Sequence, residues 1–295
     1  MKQAFLLFSD SIIATLYAGL PAVGTINYKS RTAKLNRLSE ADYLTIPKSF
    51  LGFLIGYIDG DGYIGIQKNY NGTVTVHLTI SVHLEDIGSL NYIQSILKIG
   101  KIYYYPNRKS PTARLVISKS ELQEVLFPLF SHHGLFFLTK TRRGQYNMAM
   151  YIFNNGIKNY SELPSVVLDT QELPTSELGY ANLHFFKDWI VGFVCAEGSF
   201  LMKKNNDGCF QIKQRLHPLL FEAFKLVFNT NRKITIDKEL YSQFGVSSKA
   251  DIQNVINFFS FSGYHPLIGL KHIQYLAWLE KLRSSERYKN LKFPG

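Results

Sequence analysis

Phe53-Leu54-Ile55-Gly56-Tyr57-Ile58-Asp59-Gly60-Asp61-Gly62 decides the fold, because its logic returns 136 residues later as Trp189-Ile190-Val191-Gly192-Phe193-Val194-Cys195-Ala196-Glu197-Gly198. In each copy an apolar run carries two small residues four apart, Gly56 and Gly60 or Gly192 and Ala196, then one carboxylate, Asp61 or Glu197, then a glycine. Residues four apart share a helix face, so the small pairs predict two helices whose backbones approach closely, flanked by the bulk of Phe53/Tyr57 and Trp189/Phe193. Gly62 and Gly198 suit left-handed C-terminal caps, and the β-favouring Tyr63-Ile64 and Ser199-Phe200 predict a strand after each.

Side by side, two such helices bring Asp61 and Glu197 out at the same end. Each carboxylate then faces the negative end of its own helix and its twin, an arrangement that needs an offsetting cation. A hard divalent ion is the natural candidate, and Mg²⁺ uses one or two carboxylates together with phosphate oxygens.

The 295 residues give room for two domains of ordinary size, which the repeat favours. A chain 46% apolar and 14% aromatic is a folded globule rather than a disordered one. The net charge of +11 and pI near 9.4 point to a polyanionic partner. Cys195 and Cys209 form no disulfide framework and no C-x-x-C pair, which fits a reducing compartment, and the eight histidines lack zinc-ligand spacing. Residues 1–48 have no counterpart in the second half and read as a poorly ordered extension or leader. Their apolar run from Ala4 to Gly24 is broken by Asp10 and Pro21, which makes a poor membrane span.

After Gly62 the pattern predicts a hairpin turning at Asn71-Gly72, whose second strand alternates Val74, Val76, Leu78, Ile80 and Val82 with Thr75, His77, Thr79 and Ser81. One face is core and the other is polar. Glu85 to Leu97 has helical spacing, Lys101–Tyr105 and Ala113–Ile117 read as strands, and Ser118 with Glu121 forms a capping box for a further helix. A basic run, Lys140-Thr141-Arg142-Arg143, follows. Residues 161–183, with Pro164, Pro174 and several acids, read as an exposed linker, long enough at roughly 65 Å per twenty extended residues to cross between halves. The second half repeats the programme: strands over Ser199–Lys204 and Cys209–Arg215, a turn at Asn205-Asn206-Asp207-Gly208, and a closing amphipathic helix over Tyr275–Tyr288.

The two decapeptides, their spacing and the helix-strand-strand-helix-strand-strand-helix order resemble the double-motif LAGLIDADG homing endonucleases encoded in group I introns. The resemblance covers about 49–295. It implies an α+β fold of two pseudo-symmetric αββαββα halves, 49–160 and 184–295, whose antiparallel sheets form a saddle on double-stranded DNA. It also implies a monomeric, mitochondrial nuclease that cuts one phosphodiester in each strand of a long target, leaves 3′ overhangs and supports intron mobility. Mg²⁺, with Mn²⁺ as a substitute, would be held by Asp61 and Glu197 with the carbonyls of Gly60 and Ala196. Lys271, in Pro266-Leu267-Ile268-Gly269-Leu270-Lys271, matches the family's active-site lysine; in the first half Lys140 and Arg142 both remain candidates. Gln214, closing Phe210-Gln211-Ile212-Lys213-Gln214, matches a glutamine that orders water.

The polar strand faces are then candidate base-reading surfaces, since a β-ribbon fits the major groove: Gln67, Asn69, Thr75, His77, Thr79 and Ser81 in one half, and Ser199, Lys203, Asn205, Gln211, Lys213 and Arg215 in the other. Cys195 departs from the pattern where the first copy has Asp59, and Gly60 where the family more often has alanine. Some relatives instead assist splicing by binding host intron RNA. Both catalytic carboxylates are present here, and a pure maturase does not need them. No membrane partner is expected.

Overall fold

The computed structural model describes residues 37–167, 172–215 and 217–295. The run from Ala4 to Gly24 and Asp169 of the linker lie outside them. Within the segment read as an extension, α1 (Glu40–Leu44) is helical, and Tyr43 and Ile46 are buried.

The first half runs α2 (Lys48–Asp61), β1 (Gly62–Lys68), β2 (Val74–His83), a 3₁₀ turn (Leu84–Asp86), α3 (Ile87–Leu97), β3 (Lys101–Tyr105) and β4 (Thr112–Ser118). It closes with α4 (Lys119–Glu121), a π-helical turn, α5 (Phe127–His132) and α6 (Lys140–Asn154). After a short α7 (Glu177–Ala181) the second half runs α8 (Phe186–Glu197), β5 (Gly198–Met202), β6 (Gly208–Arg215), α9 (Pro218–Val227), β7 (Thr235–Asp237), β8 (Tyr241–Val246), α10 (Lys249–Ile256) and α11 (Gly269–Arg283). Each half holds one four-stranded antiparallel sheet, ordered β1-β2-β4-β3 and β5-β6-β8-β7. The closing helix is therefore Gly269–Arg283 rather than Tyr275–Tyr288. Tyr288 lies past its end, buried, with its hydroxyl donating to Ser247 O at 2.7 Å.

α2 and α8 form the spine, and the small residues explain why. A Cβ on Gly56 would stand 2.0 Å from Trp189 O, one on Gly192 1.9 Å from Phe53 O, and one on Gly60 2.3 Å from Ala196 Cβ. The backbones touch at these points, with no room for even a methyl group at Gly56 or Gly192. Aromatic rings stack beside them: Phe53 on Tyr57, and Phe186, Trp189 and Phe193 in a column. The sheets' inner residues complete the core. In β2, Val74, Val76, Leu78, Ile80 and Val82 are buried, while Thr75, His77, Thr79 and Ser81 face outward. The capping box at Ser118 and Glu121 is present.

The glycines after the acids do a different job from the one expected. Gly62 (φ −78°, ψ 161°) and Gly198 (φ −80°, ψ 160°) are extended, not left-handed. Each N–H still closes on the helix, at Ile58 O or Val194 O, while the chain turns straight into a strand. A Cβ there would meet Ile58 Cγ2 and O at 2.6 Å, or Val194 Cγ1 at 2.6 Å and O at 2.8 Å. Crowding against the last turn, not φ, requires glycine.

Candidate active site

Asp61 and Glu197 end α2 and α8 at the same end of the pair. Burial pushes the Asp61 carboxyl up to about 7, with Glu197's charge adding to the effect and Lys271 and Arg142 opposing it, although the residue opens to solvent. Glu197 is raised by burial and held back by its hydrogen bond from Gln214 and by Lys271 and Arg142. That bond, from Gln214 Nε2 to Glu197 Oε1, is 2.8 Å. It exists because Gln214 shares the inward alternation of Phe210 and Ile212, which directs it to the spine rather than to the open face. Pairing of Gly62 with Ile80 and of Gly198 with Ile212 makes Val82 the first-half counterpart of Gln214. Asp61 thus has no equivalent amide from its own β2.

Helix register separates Lys140 from Arg142. Thr139 is the N-cap of α6 and Ile268 that of α11, so Arg142 and Lys271 occupy the same helical position. Lys140 is exposed. Arg142 is 7% exposed, donates from Nε to Ile58 O at 3.0 Å and from NH1 to Gln145 Oε1 at 2.5 Å, and lies in the field of Asp61 and Glu197. Lys271 Nζ donates to Gly198 O and to Gln274 Oε1, the latter at 3.2 Å, in the field of the same two acids. Both cations are displaced downward by burial. Each therefore hydrogen-bonds backbone at the end of one helix within the field of the acid pair, three residues before a glutamine.

Asp59 is the site's main unforeseen residue. It is 2% exposed and accepts four hydrogen bonds: from Leu138 N (2.7 Å), Thr139 N (3.2 Å), Thr139 Oγ1 (2.6 Å) and Trp189 Nε1 (2.8 Å). Burial nevertheless outweighs those donors and raises its carboxyl to about 6. One carboxylate so ties α2, the start of α6 and the facing helix α8.

The donor set fits a hard cation. Two raised carboxylates share one end, the two neighbouring cations divide their donors with helix carbonyls, and hard divalent ions take oxygen ligands.

The outward strand residues differ in availability. Gln67 and Arg215 are exposed, and Ser81, Thr79 and Ser199 are half-buried on the open faces. The His77 ring lies across Gly65, where a Cβ would come within 2.6 Å of it, and burial lowers its pKa. Thr75 Oγ1 donates to Gln67 O at 3.4 Å. Asn69 and Asn205 are engaged in their turns, donating to Thr73 Oγ1 (2.9 Å) and Asp207 Oδ2 (3.0 Å). Lys203 donates to Ser247 Oγ at 3.3 Å and Gln211 accepts from Gln243 at 3.3 Å. Lys213 is ion-paired with Asp237 at 2.5 Å. Tyr63, Tyr103, Tyr105 and Arg114 also occupy the first open face, with the Arg108 and Arg114 guanidiniums 4.3 and 5.1 Å from the Tyr105 ring centre. The alternation Thr112, Arg114, Val116, Ser118 against Ala113, Leu115, Ile117 carried that signal in the sequence.

Two pseudo-symmetric halves, joined along a glycine-spaced helix pair that ends in two acids, define a double-motif architecture. The chain matches the family described as LAGLIDADG endonuclease over residues 54–151. It is 25% identical over 264 residues to "Probable intron-encoded endonuclease Cox1-I1b" of Schizosaccharomyces pombe, covering 82% of this chain and 66% of that protein. It is 24% identical over 250 residues to "Probable intron-encoded endonuclease aI3" of Dictyostelium citrinum, covering 82% and 95%. Among solved structures, LAGLIDADG meganuclease I-CpaMI bound to uncleaved DNA superposes with a TM-score of 0.63 at 19% identity, covering 81% of this chain and 92% of that one. I-SmaMI bound to an uncleaved DNA target with calcium ions gives 0.57 at 20% identity, covering 79% and 91%.

Proposed function

We propose that this chain is a site-specific DNA endonuclease that hydrolyses one phosphodiester in each strand of a double-stranded target. The observation that carries the reading is the single acid pair: Asp61 and Glu197, one from each half, at the joined ends of α2 and α8, each followed directly by the first strand of an open-faced sheet. The chain's excess of 33 Lys and Arg over 22 Asp and Glu suits a phosphate backbone.

Asp61 and Glu197, with the carbonyls of Gly60 and Ala196, would hold divalent ions, Mg²⁺ being the expected one and Mn²⁺ a substitute. The chemistry such ions supply when bound is Lewis-acid activation of water and neutralisation of charge on phosphate oxygens. Arg142 and Lys271 stand where cations oppose charge developing on the scissile phosphates. Gln214 holds Glu197 in orientation through Nε2 while its Oε1 accepts from Arg215 N, and it would order water through its second Nε2 hydrogen. The outward strand residues read base edges, and one chain carrying both halves needs no second copy. The mitochondrial, intron-encoded setting belongs to the same proposal. The relatives and structures above carry endonuclease or meganuclease names, which favours cleavage over an RNA-binding maturase role. None of the described helices is long and apolar enough to cross a membrane.

The test is incubation of the protein with a randomised duplex library and Mg²⁺, followed by sequencing of the cut ends. The reading requires one long preferred site cut in both strands and no cutting when the ion is chelated. Binding without cutting under Mg²⁺ and Mn²⁺ alike would overturn it.

A further inference from the structure

Asp86 is a carboxylate the proposed chemistry does not use. It ends the 3₁₀ turn between β2 and α3, in the first half, yet its Oδ1 accepts from Leu270 N at 2.8 Å in the first turn of α11, 184 residues away. The same oxygen accepts from Ser89 Oγ at 2.9 Å. The fit is close: Gly269 has φ +59°, and a Cβ on it would lie 2.0 Å from both Asp86 Oδ1 and Ser89 Oγ. Helix α11 needs this acceptor, because its N-cap is Ile268, which offers no side-chain oxygen to the orphan N–H groups of the first turn. Helix α6 has its own, since Thr139 Oγ1 accepts from Arg142 N. Lys271 is the next residue after Leu270, and it lies in Asp86's field. A role for Asp86 as a third metal ligand has no geometric support, since the described residues hold no group of three or more acid, histidine or cysteine side chains able to grip an ion.

We infer that Asp86 is a positioning residue: by capping α11 across the interface it aims Lys271 at the acid pair, so the second half's cation is aligned by the first half. The inference rests on the endonuclease reading for its catalytic consequence but not for its structural one. Asp86→Asn keeps the Oδ1 acceptor and removes the charge, whereas Asp86→Ala removes both, so the two variants separate capping from electrostatics.

In the DNA-free protein, amide exchange at Leu270 should quicken roughly tenfold in Asp86→Ala, the size expected for a lost cap. The Lys271 side-chain NMR signal should move with it, and Asp86→Asn should match wild type in Leu270 exchange. Single-turnover cleavage at saturating protein should slow by about tenfold or more in Asp86→Ala with the dissociation constant for DNA unchanged. Adding Lys271→Met to Asp86→Ala should slow it little more than Lys271→Met does alone. Unchanged Leu270 exchange in Asp86→Ala would overturn the cap. Altered exchange with an unmoved Lys271 signal, or with an unaltered cleavage rate, would overturn the positioning. Loss in Asp86→Asn equal to that in Asp86→Ala would assign the effect to charge and also overturn it. If Asp86→Ala does not fold, Asp86→Glu serves, because its longer side chain cannot sit beside Gly269 and should lose the cap while keeping the charge. A wild-type protein that never cuts DNA would remove the nuclease reading while the two NMR measurements still decide the cap.

Discussion

Asp59 and Cys195 occupy the same turn of α2 and α8, two residues before the acids, and they do opposite amounts of work. Asp59 gathers four donors from α8 and the start of α6. Cys195 meets Ile268's backbone, and burial pushes its thiol up to about 12. Where Thr139 supplies a hydroxyl and a cap, Ile268 supplies neither, and α11 borrows its cap from Asp86 in the first half. The second half answers with rings: Trp189 donates to Asp59, and His265 stacks on Phe53 at 4.0 Å. The backbone scaffold is duplicated, but the polar wiring is not: the first-half carboxylates Asp59 and Asp86 each accept one hydrogen bond from the second half, at Trp189 and Leu270, beside their first-half donors. The halves therefore need not contribute equally to stability or to chemistry.

The largest effect lies where the halves are most alike. Gly56→Ala and Gly192→Ala each drive a methyl into the facing helix's carbonyl, so each should lose about 3 kcal/mol or more, at the top of the overpacking range, despite alanine's better helix propensity. Urea midpoints measure this. Wild-type stability in both variants would mean the helices do not touch as described.

A second difference is titratable. His265 is buried, its Nδ1–H donates to Pro266 O (2.8 Å) and its Nε2 accepts from Tyr92 (2.8 Å), while burial lowers its pKa to about 4. Its first-half counterpart by register is Phe136, which cannot titrate. With the folded pKa below the ordinary 6.5, the unfolded chain takes up the proton first. Its contribution is therefore complete above about 6.5 and is lost as pH falls toward 4, by roughly 3 kcal/mol. In urea titrations at stepped pH, His265→Phe should lack that acid-side loss. Parallel pH curves for the two proteins would remove His265 from the interface's energetics.

The smallest expected effect concerns Gln214 against Val82. Gln214→Leu should slow cutting of one strand about tenfold, the worth of one lost hydrogen bond to a charged group, and leave the other strand near its wild-type rate. Strand-specific end labels under single turnover measure this. Equal slowing of both strands would show that the acids act on both cuts together.

The sequence made the spine readable because close helix packing leaves a local signature: small residues four apart. The Asn71-Gly72 hairpin and the Ser118–Glu121 capping box were legible for the same reason, since each depends on neighbours in the chain. Asp59 was not, because its donors sit 79 to 130 residues away and no local pattern distinguishes a carboxylate that four donors will surround. Asp86 was hidden likewise. The helical equivalence of Arg142 and Lys271 needed the N-caps of α6 and α11, which fix a register that residue type alone left open. The candidate contacts of Asn69, Asn205 and Lys213 looked free in the sequence because turn closure and ion pairing with Asp237 appear only once the strands are laid side by side.

The central claim is that one carboxylate from each half serves the chemistry rather than the binding of DNA. On the preferred target with Mg²⁺, Asp61→Asn and Glu197→Gln should each abolish double-strand cleavage while the dissociation constant for DNA, measured in parallel, stays near the wild-type value. Full cleavage by either variant would contradict the account.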